Sequence, residues 1–116
     1  MISFESPNFI GLNKKGYTVV DMHCHSVHSD GAATISRILS KCKKMNIGVA
    51  ITDHNEISGS VDAFNKKTDE CMIIPAIEVK SIENIDILFY FYDIDDLKIF
   101  FKKEILPFRR KFLTLS

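Results

Sequence analysis

The sequence predicts an α/β protein organised around a parallel sheet, and three observations carry that reading. Short β-rich apolar runs alternate with amphipathic helical segments in the order strand, helix, strand, helix, strand, the grammar of a parallel sheet with crossover helices. The runs are nearly continuously apolar, as in strands covered on both faces. The 116 residues are 46% hydrophobic with nine Phe and no internal repeat, which suits one domain with a substantial core.

Residues 1–16 read as a lead-in punctuated by Pro7, Gly11 and Gly16. "YTVVDMHCH" is the first strand. In "ATISRILSKCKKMN", Ile35, Ile38, Leu39, Cys42 and Met45 recur at helical spacing with lysines on the other face, so this is an amphipathic helix, with Gly48 as its stop. "VAITDH" is the second strand. "SGSVDAFNKK" predicts a second helix capped by Ser58 or Ser60. "CMIIPAIEV" is the third strand, and Pro75 within it calls for an edge or a bulge. "IDILFYFY" is the fourth strand. "IDDLKIFFKKEIL" is a helix with acids at its start and lysines toward its end, matching the helix dipole, and Pro107 is expected to end or kink it.

Composition excludes several classes. Fifteen basic and fifteen acidic residues cancel, leaving no steering toward nucleic acid or an anionic membrane. Three cysteines at wide spacing, Cys24, Cys42 and Cys71, are not a disulfide framework and suit a reducing cytoplasm. The N-terminal stretch lacks the pattern of a signal peptide, and the apolar runs are too short to span a bilayer. A soluble cytoplasmic protein is expected.

The chemistry concentrates in "VVDMHCHSVHSDG", which holds three of the four histidines. Side chains alternate along a strand, so Asp21, His23 and His25 face one way and Met22 and Cys24 the other. His-x-His on a strand sets two imidazoles side by side, at a spacing that chelates one metal ion. Cys24 points away and reads as a core residue. Asp30 follows in a loop where Gly31 supplies a tight turn. The second strand ends in Asp53 and His54, and the third delivers Glu78. Loops at the carboxyl ends of strands build the sites of α/β folds, so His23, His25, Asp30, His54 and Glu78 are expected to converge there, a set large enough for two metals and not just one. Glu78 taken alone could equally be a solvated strand end. His28 is either solvated or in contact with substrate.

At these residues the sequence resembles the polymerase and histidinol phosphatase (PHP) superfamily. "DMHCHSVHSDG" is similar to its first motif, D-x-H-x-H-x-x-x-S-D-G, "ITDHNEISG" to its second and "IPAIEV" to its third; the likeness runs from Tyr17 to Tyr92. It implies a distorted (β/α)7 barrel, with residues 17–116 as a PHP-like domain amounting to about its N-terminal half. It also implies two or three divalent metals, drawn from manganese, iron and zinc, and hydrolysis of phosphoesters. Carried over, His23 and His25 hold one metal, Glu78 bridges to another, and Asp30 and His54 serve the neighbour. Asp53 orients His54 or the loop, and Asp53 or His28 relays protons.

Two departures qualify the likeness. Asp86 in "IDILFY" stands where the family has a histidine, as either a harder ligand or the mark of a degenerate site. The later family motifs are absent, and no histidine follows His54. A half-barrel leaves sheet edges open, so a homodimer or a partner chain is expected to cover them. The function expected is a metal-dependent phosphoesterase acting on a small phosphorylated metabolite or nucleotide, in which Arg109 and Arg110 either grip phosphate or are simply solvated. The alternative is a non-catalytic metal-binding or interaction module derived from such an enzyme.

Overall fold

The computed structural model describes residues 6–109. Within the lead-in, Phe9–Lys14 form a short helix, α1, because the Asn8 side chain caps it by accepting a hydrogen bond from the Gly11 amide at 3.0 Å. The strands and helices that follow are β1 (Val20–Cys24), α2 (Ile35–Met45), β2 (Gly48–Ile51), α3 (Ser58–Asn65), β3 (Ile73–Ile74), β4 (Ala76–Lys80), β5 (Asp86–Tyr90) and α4 (Ile94–Phe100).

β1, β2 and β3 form a parallel sheet in that order, and α2 and α3 are the crossovers. This mixed α/β arrangement is a partial (β/α) barrel. α2 starts at Thr34, whose hydroxyl accepts from the Arg37 amide. It stops at Asn46, not at Gly48: Asn46 takes the left-handed conformation at φ 54°. Gly48 opens β2 instead, where a Cβ would lie 2.6 Å from the Met72 carbonyl. α3 begins at Ser58, but neither Ser58 nor Ser60 caps it. The Glu56 carboxylate accepts from the amides of Ile57 and Ser58, and Ser60 is buried, its hydroxyl accepting from the Ala76 amide.

The predicted third strand is two strands. Pro75 has no N–H to give to the ladder, and the chain changes partner there. β3 closes the parallel sheet, whereas β4 pairs antiparallel with β5 in a second, two-stranded sheet. The fourth strand therefore departs from the parallel pattern. A parallel bridge between His54 and Glu78 joins the sheets: the Glu78 amide donates to the Asp53 carbonyl at 3.1 Å and the Asn55 amide to the Glu78 carbonyl at 2.9 Å. Asn55 sits at φ 50° to make this turn.

Two apolar clusters hold the layers together. Ile35, Ile38 and Cys42 of α2 pack on Val49, Ile51, Ala63, Cys71 and Ile73, with Cys24 and Leu39 against them. Ile77 of β4 packs with Ile57, Ile94, Leu97 and Ile105, ringed by Phe89, Phe91 and Phe100. Pro107 does not end the last helix. α4 widens into a π-helical turn over Phe101–Ile105, and helical backbone resumes over 106–109. Widening of this kind accommodates a residue that cannot take its place in the regular ladder. Among the described residues, no helix is long and apolar enough to cross a membrane.

Candidate metal centre

His23 lies on β1 and His25 one residue past its end, on the same side of the chain. Their Nε2 atoms are 3.0 Å apart. Glu78, only 5% exposed, projects from β4 between the two sheets. Its Oε1 is 3.0 Å from His23 Nε2, and its Oε2 is 3.7 Å from His25 Nε2 and 2.7 Å from His54 Nδ1. The far side of His54 faces Asp30, with Nε2 to Oδ2 at 3.1 Å, and Asp30 Oδ1 lies 3.4 Å from His25 Nδ1. The rings of His25 and His54 stack at 4.5 Å between centroids. Three overlapping sets of donor atoms result, each within 4.8 Å: His23, His25 and Glu78; His25, Asp30 and His54; His54, Glu78 and Asp86. Asp86 pairs with Lys80 in the β4–β5 ladder, so alternation puts it on the face that carries Glu78.

The loop between β1 and α2 is built around a buried carboxylate. Asp53 is 1% exposed. Its Oδ1 accepts from the Ser26 amide at 2.7 Å and the Ser29 hydroxyl at 2.6 Å, and its Oδ2 from the Ser26 hydroxyl at 2.6 Å. These bonds satisfy the charge where burial would otherwise be costly. Of its two expected partners, Asp53 therefore holds the loop, while His54 is held by Glu78 and Asp30. Two glycines make room. A Cβ on Gly59 would sit 2.4 Å from Asp53 Oδ2, and one on Gly31 would sit 2.2 Å from the His25 carbonyl. Gly31 thus serves close approach in the turn that its amide closes by donating to the Ser26 carbonyl at 2.9 Å, and does so without a positive φ.

The donor set fits divalent cations. Neighbouring ligands on a cation with bonds of 2.0–2.1 Å lie about 2.9 Å apart in an octahedron and about 3.3 Å apart in a tetrahedron, as those bond lengths require; the imidazole and carboxylate atoms here fall around these values. His25 Nδ1 is buried with no hydrogen-bond partner, a polar atom left for a further ligand to satisfy. Mixed imidazole and carboxylate donors are compatible with zinc, iron and manganese alike. Cys24 packs on the core, where burial first, and then the Asp21 and Asp53 carboxylates, push its thiol pKa up and keep it protonated.

The remaining expected residues lie at the margin. His28 is exposed, with Nδ1 2.7 Å from the Ser58 hydroxyl. Arg109 forms an ion pair with Glu56 at 2.8 Å, and Arg110 lies outside the described residues. Burial raises the Glu56 pKa, but the Ser58 amide, Arg109 and the Ile57 amide outweigh it and hold the carboxyl below its ordinary range. Sequence reasoning missed Ser26, Ser29 and Gly59. It also missed Tyr90, whose hydroxyl donates to the Met22 carbonyl at 2.6 Å. Burial, and then Glu78 and Asp21, raise the Tyr90 pKa, which keeps it a donor. The only signal for Tyr90 in the chain is its place at the end of "IDILFY".

Histidines and carboxylates gathered at the strand ends of a partial (β/α) barrel define an α/β domain with a candidate metal centre. The PHP domain profile matches residues 21–105, and the chain belongs to the PHP family. It is 40% identical over 65 residues to the DNA polymerase III subunit alpha of Borreliella burgdorferi, covering 53% of this chain and 6% of that one. Among solved structures, it resembles a Bifidobacterium adolescentis protein inferred to be a metal-dependent phosphoesterase, at 26% identity and a TM-score of 0.57, over 73% of this chain and 32% of the other. An amidohydrolase from Chromobacterium violaceum, solved with bound sulfate and no metal, has the same fold at 23% identity and a TM-score of 0.57, over 72% of this chain and 32% of the other. The chain thus spans about a third of these structural neighbours.

Proposed function

We propose that this chain is a metal-dependent phosphoesterase that hydrolyses a small phosphorylated metabolite or nucleotide in the cytoplasm. The observation that carries the reading is the convergence of His23, His25, Asp30, His54 and Glu78 at one rim, in overlapping donor sets. Divalent cations bound there, of the manganese, iron or zinc type, supply the Lewis acidity that brings the pKa of a water molecule toward neutrality and offsets charge on phosphoryl oxygens.

The residues divide the remaining work. His23, His25 and Glu78 form one cation position, and Glu78 is shared with the position built by Asp30 and His54, with Asp86 beside it. Asp53 is a positioning residue: its oxygens are occupied by Ser26 and Ser29, which fixes the loop that presents Asp30. This role replaces the proton relay expected of it. His28 engages Ser58 through Nδ1, leaving Nε2 to exchange a proton with a bound substrate. Self-association belongs to the same reading. β1 and β5 each pair on one side. The groove of about 630 Å³ beside β1 carries Arg37, Lys41 and Lys44, while the region after β5 carries Asp93, Asp95 and Asp96. A second copy thus offers an acidic α4 N-terminus to the basic side chains of the groove beside β1.

A non-catalytic metal-binding module is the competing reading. It is favoured by the exposure of two ligand side chains, 51% for His23 and 65% for Asp30, and by the aspartate at position 86. Bound metal and turnover of para-nitrophenyl phosphate, measured on the same preparation, separate the two. Catalysis predicts metal-dependent turnover, and metal without turnover selects the module. His23→Ala is expected to lower metal per chain, and unchanged stoichiometry would refute the ligand assignment.

A further inference from the structure

The histidine pair is not held by the ladder of its own strand. β1 pairs with β2 through Val20↔Gly48, Asp21↔Val49 and Cys24↔Ile51, and the register is irregular between Asp21 and Cys24. Met22 and His23 occupy that irregularity, where two residues face one. A bulge of this kind re-aims a side chain but removes the cross-strand bonds that would fix it. His23 is also the most weakly supported imidazole: its side chain is 51% exposed, against 22% for His25 and 34% for His54. The His54–Glu78 side of the centre is fixed directly by backbone bonds on both sides of Glu78. Among the described residues, no such pairing joins β1 to β4.

Tyr90 fills that gap. It leaves β5 on the face shared by Glu78, since Ala76 pairs with Tyr90 and Glu78 with Leu88. From there its hydroxyl donates to the carbonyl of Met22, the residue before His23, at 2.6 Å. Within the bulge Asp21 Oδ1 accepts from the His23 amide at 3.1 Å, and just past it the Cys24 amide donates to Thr52 Oγ1 at 3.2 Å while the Cys24 carbonyl accepts from the Thr52 amide at 2.7 Å.

We propose that Tyr90 is a positioning residue for the metal centre, clamping the β1 bulge to the β4–β5 sheet so that His23 meets Glu78. The inference rests on the metal-centre reading above and assigns a determinant of affinity and selectivity between positions. Loss of a hydrogen-bonded supporter of a ligand typically lowers metal affinity about 10- to 100-fold. The effect here falls on the His23 position and spares the one built by Asp30 and His54.

The test is Tyr90→Phe, which keeps the ring and removes the hydroxyl. Cobalt(II) titration, followed by its visible absorption, is expected to show one of two binding steps weakened about tenfold or more, and circular dichroism is expected to show the fold retained. In a His23→Ala background, where the His23 step is lost, the same substitution is expected to leave the remaining step unchanged. Wild-type affinity at both steps in Tyr90→Phe would overturn the proposal, as would an undiminished effect in the His23→Ala background. Amide exchange of the metal-free protein gives a readout independent of metal. Tyr90→Phe is expected to accelerate exchange at residues 22–24 and leave α3 unchanged; unaltered exchange at 22–24 overturns the clamp. If the wild-type protein binds no cobalt but the exchange effect appears, the metal-centre reading fails and the clamp on the bulge stands.

Discussion

Gly59→Ala sets two opposing effects against each other at one atom. Gly59 is the second residue of α3, and alanine in a helix interior is favoured over glycine by about 1 kcal/mol. The new methyl, however, would lie 2.4 Å from Asp53 Oδ2 and 2.9 Å from Ser26 Oγ. Neither atom belongs to a flexible tip: the carboxylate is buried and receives three hydrogen bonds of 2.6–2.7 Å. Moving it weakens bonds to a charged group that contribute about 1.5–3 kcal/mol each. Loss of one of them, less the helical gain, leaves a net loss of about 0.5–2 kcal/mol, and loss of two leaves about 2–5 kcal/mol. For a domain of this size one lost bond lowers Tm by about 2–10 °C, and two lower it further. Differential scanning fluorimetry of the metal-free protein measures it. The displaced loop carries Asp30, so weaker metal binding at the Asp30–His54 position is expected alongside. A Tm equal to or above that of the wild type would show that the Asp53 cradle tolerates the methyl, and the account of Gly59 would be refuted.

Two further expectations follow from the same geometry. Because the folded-state pKa of Glu56 is depressed below its ordinary 4.5, its contribution to stability is fully present above that ordinary value and is lost as pH falls through the lowered one. Glu56→Gln is therefore expected to destabilise at neutral pH, with the difference from wild type closing in acid; urea unfolding across pH checks it, and a pH-independent difference would count against the assignment. Light scattering well above micromolar concentration is expected to give a dimer that weakens with added salt, since the paired charges are exposed, and a strictly monomeric species would remove the self-association from the proposed function.

The chain's own pattern revealed much of the centre and less of its supports. The residues that converge at the rim were legible because His-x-His, Asp-His and the strand-borne Glu78 end successive apolar runs, and strand alternation fixes their faces. The pairing sense of "IDILFY" was not, because apolar periodicity is the same for either direction. Nor was the break at Pro75, where the proline changes the sheet and does not merely mark an edge. The roles of Ser26 and Ser29 escaped because hydroxyls near a loop are common, and nothing local says that a buried Asp53 lies 24–27 residues away to receive them. Tyr90 reaches a main-chain carbonyl 68 residues distant, and a carbonyl leaves no residue type to read. Asn46 in place of Gly48 at the end of α2 reflects the tolerance of asparagine for left-handed backbone.

The rim straddles a seam. His23 and the neighbours of His25 and His54 belong to the three-stranded layer, whereas Glu78 and Asp86 belong to the two-stranded one, and the bridge at His54–Glu78 is where the layers are stitched by main chain. An ion grasped from both banks would act as a rivet, its occupancy coupled to the cohesion of the molecule. At a free concentration a hundred times its dissociation constant, such an ion would add about 2.7 kcal/mol to the folded state.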